Sequence, residues 1–274
     1  MGIQEAEVTS IREVQPRAFL LSLKAKGISE EARPGQFYMI RVQGGEDPFL
    51  PRPFSWLRRY AEGQDPQKDR GDGLQILFQV VGKGTSRLSE LTPGRRLLVQ
   101  GPLGMGWRWE GAKRPVLIGG GIGGASLLPL LEEFPSELKE KAIVLLGARS
   151  PMGLWLSTQM RETPARVMVA VEEGEADFKG TVVDLLLAEE REITSLPGVQ
   201  LFACGPRAML GKIAKAAGER KIPCQVSLEV SMACGRGVCL GCAVKVRDTE
   251  RYLMACKDGP VFDAQALDWS GEDG

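Results

Sequence analysis

Four cysteines crowded into residues 234–256 restrict this chain more than any other feature of it. They run Cys234-Gly-Arg-Gly-Val-Cys239-Leu-Gly-Cys242, with Cys256 following. This is the plant-type 2Fe–2S spacing, C-x4-C-x2-C…C, in which thiolates supply the soft ligands iron needs. Gly235, Gly237 and Gly241 let such a loop fold tightly, with backbone N–H groups turned toward the sulfurs. A structural zinc site with four cysteine ligands is the alternative. Zinc sites pair C-x2–4-C knuckles, and an x4–x2 triplet suits that less well. Cys204 and Cys224 fall outside the spacing.

The composition agrees with chemistry carried by a cofactor. None of the 274 residues is histidine. That removes Ser-His-Asp and Cys-His nucleophile systems, His-ligated zinc, Rieske-type clusters and histidine general bases. Lys plus Arg and Asp plus Glu both number 35, so the formal net charge is zero. No electrostatic case arises for nucleic acid or an anionic membrane. A hydrophobic fraction of 43% over this length suits about two domains and a small appendage. No run approaches the ~18 apolar residues of a membrane span, and the polar start Met1–Ala6 lacks the pattern of a signal peptide. A cytoplasmic location is therefore expected, with the cysteines reduced and not paired in three disulfides.

Residues 5 to about 104 read as successive strands, among them Ala18–Ala25, Gln36–Gln43, Gly73–Val81 and Arg96–Gln100. Pro34-Gly35 and Pro93-Gly94 punctuate them, which predicts a small β-barrel or sandwich. The charged, turn-rich stretch Glu62–Asp72 reads as an exposed hairpin loop, and Thr85–Leu91 as a short helix. From about residue 113 the rhythm becomes strand, helix, strand, helix. Pro115–Ile118, Ala142–Leu146, Arg166–Val171 and Val199–Ala203 are apolar runs suited to a parallel sheet buried on both faces. Helices are predicted over Ser126–Phe134, Met152–Arg161, Val182–Glu190 and Arg207–Arg220. This alternation predicts a doubly wound α/β domain. After Pro223 it gives way to the cysteine-rich tail.

Three further signals lie in these two halves. Gly119-Gly-Gly121-Ile-Gly123-Gly124 follows a strand and opens a predicted helix, the context in which G-x-G-x-x-G accepts a dinucleotide pyrophosphate. The next strand ends in Gly147-Ala-Arg149-Ser150 in place of the acidic residue that binds an NAD ribose; Arg149 suits a 2′-phosphate, so NAD and NADP both stay open. In the barrel half, Arg52-Pro53-Phe54-Ser55 offers an arginine for a phosphate, an aromatic face for a flat ring and a hydroxyl for a ring nitrogen. Gly84-Thr85, at the start of the short helix, offers N–H groups to a second anion. An ordinary strand end and turn explain these residues equally well. Cys204-Gly205-Pro206 lies at the carboxyl edge of the last sheet strand, where α/β domains bind ligands; it reads equally as a buried cysteine followed by a helix-starting proline.

Taken in order, R-P-F-S, the G-T turn, the glycine run and C-G-P resemble the ferredoxin–NADP reductase superfamily. The tail narrows the likeness. Ser227-Leu-Glu229-x-x-Met232-Ala-Cys234-Gly-x-Gly-x-Cys239-x-x-Cys242 and Cys256-Lys-Asp-Gly259-Pro260-Val-Phe262 resemble the electron-transfer subunits of bacterial type B dihydroorotate dehydrogenases. Glu173-Gly174 and Lys179-Gly180-x-Val182-x-Asp184 agree with them. The related ferredoxin reductase and sulfide dehydrogenase small subunits usually carry aspartate where Cys234 stands.

The resemblance implies an FAD-binding barrel over 1–108, an NAD-binding α/β domain over 109–222 and a 2Fe–2S module over 223–274. It implies that Arg52, Pro53, Phe54 and Ser55, with Leu77, Phe78 and Gln79, hold the flavin, and that Gly84 and Thr85 hold its pyrophosphate. Gly119, Gly121, Gly123 and Gly124, with Cys204, Gly205 and Pro206, then receive the nicotinamide nucleotide. Cys234, Cys239, Cys242 and Cys256 ligate the cluster. No side-chain catalyst is implied. The implied partner is an FMN-containing catalytic subunit, in a heterotetramer of two of each, serving pyrimidine biosynthesis. A ferredoxin:NAD(P) oxidoreductase or sulfide dehydrogenase subunit, and a zinc-stabilised nucleotide-binding regulatory module, are the competing readings.

Overall fold

A computed structural model describes residues 2–43, 47, 49–60, 72–194 and 197–271. Of the predicted loop 62–72, only Asp72 lies among the described residues. The N-terminal half is one antiparallel sheet. Its strands are β1 (Ile3–Gln15), β2 (Ala18–Lys24), β3 (Phe37–Val42), β4 (Arg52–Ser55), β5 (Arg58–Tyr60), β6 (Gly73–Gln79) and β7 (Arg96–Leu103). Their order is β4-β3-β7-β1-β2-β6-β5, and the sheet curls until β4 touches β6. Val8, Leu21, Leu23, Ile40, Leu74 and Ile76 fill the interior. Helix α1 (Lys83–Ser89) contacts β3 and contributes Leu88 to that core.

Tyr38 pins this core. Its ring is fully buried, and its hydroxyl donates to the Ile28 carbonyl at 2.6 Å. Burial of the phenol raises its pKa, so it stays a donor. Tyr38→Phe leaves that carbonyl without its partner, which costs about 1–3 kcal/mol. A denaturant midpoint lowered accordingly, with an unchanged slope, is the expected result.

The second half is a sheet of order β11-β10-β9-β8-β12-β13-β16. It comprises β8 (Arg114–Gly120), β9 (Ile143–Ala148), β10 (Arg166–Val171), β11 (Phe178–Lys179), β12 (Val199–Cys204), β13 (Cys224–Ser227) and β16 (Val261–Asp263). All neighbours are parallel except β13 and β16. Alternation along β8 explains the layering. Val116 and Ile118 face α5 (Val182–Ala188) and α7 (Arg207–Glu219), while Leu117 faces α2 (Leu128–Glu133) and α4 (Trp155–Met160). A strand buried on both faces must be apolar throughout. The chain winds outward from β8 through β9 to β10 and β11, then returns to place β12 on the other side of β8. Between β8 and β12 lies the topological switch point, where such sheets bind ligands.

The helices begin and end differently from the sequence expectation. The glycine run does not open an α-helix: Gly119 and Gly120 close β8, Gly121–Leu127 forms a 3-10 helix, and α2 starts only at Leu128. Glycine has poor helix propensity, and the turn is pressed against its neighbours, so the tighter winding prevails. Met152–Arg161 divides into a 3-10 turn (Pro151–Gly153) and α4, and Val182–Glu190 ends in a second helix, α6 (Glu190–Thr194). The short α3 (Ser136–Glu140) was not legible. Beyond Pro223, β13 and β16 extend the parallel sheet, and β14 (Ala243–Lys245) with β15 (Tyr252–Met254) forms a separate ribbon.

Candidate flavin cleft and cluster loop

A cleft of about 500 Å³ opens between the barrel and the switch point, a size suited to a cofactor. One wall is β4 and β6: Arg52, Pro53, Phe54 and Ser55 face it, beside Leu77, Phe78 and Gln79. The antiparallel order sets these two strands against each other, and Phe54 stands edge-on to Phe78 with ring centroids 5.9 Å apart. Phe78 in turn stacks on Phe19 at 5.8 Å. Thr85 closes this wall. Its hydroxyl accepts the N–H groups of Val81 at 2.9 Å and Gly82 at 3.1 Å, fixing the start of α1. Gly84 lies in a small adjoining recess with Arg52. An added Cβ there would stand 2.7 Å from Arg52 Nε, so the arginine and the G-T turn, some thirty residues apart, meet at one end of the cleft.

The opposite wall is the carboxyl edge of the parallel sheet. Gly123 and Cys204 line it, together with Ile122, Ser126 and Ser227. A Cβ on Gly123 would lie 2.8 Å from the Gly205 Cα; only two glycines let these turns touch. Gly119, Gly124 and Gly205 are buried in the turns behind this wall, Gly121 and Pro206 are exposed beside it, and none of the five lines the cleft itself. Gly119 packs on Gly124, and Gly120 on Pro206. The glycines are thus scaffold as much as surface.

Glu229 stands in the same wall and was missed as a site residue, although it lies in the tail motif quoted above. Its side chain opens to the cleft yet is crowded by the cleft walls, and burial raises its pKa. It lies near Gly123. Its charge and, more strongly, burial push the Cys204 thiol to about 12. Cys204 is 2% exposed and remains protonated at neutral pH. Iodoacetamide at pH 8 should leave it unmodified in the native chain and label it after denaturation, as peptide mass analysis would read.

The far end of the cleft runs into the cysteine loop. Phe37, Met232 and Pro260 line it there, and Cys234 follows two residues after Met232. Gly235 has φ +65°, and a Cβ on it would lie 2.6 Å from Met39 Cγ and 3.1 Å from Leu103 Cδ1, so the loop is pressed against β3 and β7. The thiols stand in two pairs. Cys242 and Cys256 have sulfurs 3.3 Å apart, and Cys234 contacts Cys239. Among the described residues no three potential ligands converge on one point as a single ion requires. Cys234 also acts electrostatically on Cys256, so the two pairs stand close together, as the ligands of a two-iron cluster do.

Backbone donors surround the sulfurs. The N–H of Gly237 points at Cys256 Sγ at 3.0 Å, and that of Arg236 at Cys234 Sγ at 3.3 Å. The Arg236 N–H, helped by those of Cys239 and Val238, holds the Cys234 thiol down at about 6, so it is already a thiolate at neutral pH. Burial and then Cys242 push Cys256 up to about 12. The donor set therefore fits an anionic thiolate-bound cluster. Cys224 is buried in β13 and its pKa is raised to about 12 by burial; it lies apart from the four.

Barrel, switch-point cleft and cysteine loop together define a reductase of the ferredoxin–NADP reductase type with an iron–sulfur module appended. Comparison with known proteins makes this particular. The family model described as the iron-sulfur cluster binding domain of dihydroorotate dehydrogenase B matches residues 229–268. The "Dihydroorotate dehydrogenase B (NAD(+)), electron transfer subunit" of Desulforamulus reducens is 36% identical over 97% of this chain and 98% of its own length. That of Caldanaerobacter subterraneus subsp. tengcongensis is 35% identical over 96% and 97%. The chain belongs to this family of electron-transfer subunits. Among solved structures, an NADH-dependent reduced ferredoxin-NADP oxidoreductase studied for flavin-based electron bifurcation superposes with a TM-score of 0.79, at 29% identity, over 96% of this chain and 90% of that one. A ferredoxin NADP+ reductase from Neisseria gonorrhoeae shares the fold, with a TM-score of 0.66 at 16% identity over 80% and 92%. No helix among the described residues is long and apolar enough to cross a membrane.

Proposed function

We propose that this chain carries electrons between NAD(H) and the catalytic partner of a B-type dihydroorotate dehydrogenase, through FAD in the cleft and a 2Fe–2S cluster on Cys234, Cys239, Cys242 and Cys256. The observation that carries this reading is the continuity of one cleft. It is walled by the R-P-F-S strand on one side and by Gly123 and Cys204 on the other, and Met232, two residues before the first cluster cysteine, also lines it. When bound, FAD exchanges a hydride with a nicotinamide and passes single electrons to a one-electron carrier such as the cluster.

The side chains bind and orient. Phe54, braced by Phe78, offers a flat face to the isoalloxazine, and Ser55 a hydroxyl to its polar edge. Arg52 and the N–H groups of Gly84 and Thr85 take the flavin phosphates. Gly123, which lines the cleft beside Cys204, lets the nicotinamide nucleotide approach closely, while Gly119, Gly121, Gly124, Gly205 and Pro206 shape the turns that carry it. Leu77 and Gln79 complete the flavin wall. No side chain has to move a proton for hydride transfer, which accords with the absence of histidine. The chain works with a catalytic partner; that the partner carries FMN, and that the complex contains two copies of each, belong to this proposal.

The test is cofactor content and nucleotide preference. Anaerobically purified protein should hold about one FAD and two irons with acid-labile sulfide per chain, and NADH should bleach the flavin band. Stoichiometric zinc without iron would favour the regulatory-module reading. A clear preference for NADPH would instead favour a ferredoxin:NAD(P) oxidoreductase.

A further inference from the structure

We infer that Arg58 and Arg59 are positioning residues that set the width of the flavin–nicotinamide cleft by clamping Glu132 and Glu133 across the two domains. The inference rests on the proposed use of that cleft for hydride transfer. Arg58 Nε donates to Glu132 Oε1 at 2.8 Å, and its Nη1 donates to Gln159 Oε1 at 2.8 Å. Arg59 Nη2 donates to Glu133 Oε1 at 2.5 Å, while its Nη1 holds the Ala32 carbonyl at 2.6 Å. These are not loose surface pairs. The arginine side chains are 16% and 13% exposed, and the glutamates 23% and 27%. Arg59 also lies over the Trp56 ring, 5.1 Å from its centroid.

The placement of the pairs is what gives them a role. On the barrel side, β5 follows β4 after only Trp56 and Leu57, so the arginines are rigidly tied to Phe54 and Ser55. On the other side, the 3-10 helix and α2 run without a break from Gly121 to Glu133. One end of that rod is the wall that faces the flavin, and the other end is held by the arginines. A shift at the clamp therefore displaces the glycine turn against the flavin wall. Half-buried ion pairs add little net stability, because desolvation offsets most of their attraction, but they fix orientation. Burial indeed raises the Glu132 pKa in spite of Arg58 beside it. Arg58 also comes within 3.9 Å of Glu162, so it ties both α2 and the end of α4 to β5.

The experiment uses the full chain loaded with FAD and cluster, and compares wild type, the double variant Arg58→Gln/Arg59→Gln, and the exchange of both pairs, Arg58→Glu/Arg59→Glu/Glu132→Arg/Glu133→Arg. Measured are FAD per chain, melting temperature, the stopped-flow rate of flavin bleaching by NADH, and hydrogen exchange over residues 121–133. The double variant should keep its FAD, exchange faster over 121–133 and bleach about 10- to 100-fold more slowly, the scale of a small misplacement of reacting groups. The exchange variant should recover most of that rate. A bleaching rate within about twofold of wild type in the double variant would overturn the inference. So would a parallel fall of FAD content, melting temperature and rate that the exchange does not restore. If the double variant does not fold, Arg58→Gln alone is judged by the same criteria. A wild-type chain that NADH fails to bleach would instead refute the cleft assignment itself.

Discussion

Cys239→Ser should yield a protein that keeps its FAD and has no 2Fe–2S cluster. Cys239 is exposed and reaches Cys234, so it supplies half of one thiol pair. An alkoxide is a harder and poorer iron ligand than a thiolate, and serine is essentially uncharged at neutral pH. With one pair broken, iron and acid-labile sulfide should fall below about a tenth of wild type by elemental analysis. The flavin should persist, because its wall is built from β4 and β6, which do not depend on the loop. Cys224→Ser is the control: that thiol sits in β13 outside the pairs, and iron should stay at the wild-type level. Loss of iron in the Cys224 variant with retention in the Cys239 variant would overturn the ligand assignment.

The second large effect concerns the partner. The isolated chain should reduce artificial dyes with NADH yet neither oxidise dihydroorotate nor reduce orotate. The proposed flavin and nicotinamide sites already take up the cleft, and among the described residues nothing resembles a second flavin barrel. The cluster loop presents a surface for association: Val238 is 76% and Leu240 63% exposed on either side of Cys239. Adding the catalytic subunit should raise NAD-linked orotate turnover from background to a rate in the ordinary range of about 1–10³ per second. It should also protect Arg236 from arginine-directed reagents. Turnover of dihydroorotate by the chain alone, or equal turnover by a complex that lacks the cluster, would refute the relay.

Much of this was legible from local pattern. The cysteine spacing picked out the four thiols that the fold brings together, because a ligand loop is defined by short sequence distances. The parallel strands announced themselves as apolar runs, since β8, β9, β10 and β12 are buried on both faces. The register of the helices was harder. The glycine run reads as the start of an α-helix, yet contact with Gly205 and Leu146 holds Gly121–Leu127 as a 3-10 turn. β13 is only Cys-Gln-Val-Ser, too short to show a period, and it becomes a strand because β12 offers it an open edge.

By itself, then, the sequence determined the chemistry available: soft thiolates at iron–sulfur spacing, glycine turns that suit a dinucleotide, an aromatic and an arginine that suit a flavin, and no histidine. Those are properties of residue types at short separations, which the chain cannot lose by folding differently. The tertiary structure decided what faces what. It set Arg52 against Gly84, put Glu229 beside Gly123, paired Cys234 with Cys239 and Cys242 with Cys256, and closed Arg58 and Arg59 onto Glu132 and Glu133. Apart from the two cysteine pairs, which lie within one motif, these contacts join segments whose separation carries no periodic signal. The arginine–glutamate contacts exist because two sheets, each burying its own apolar faces, meet in one orientation, and the others because each half folds its own loops together.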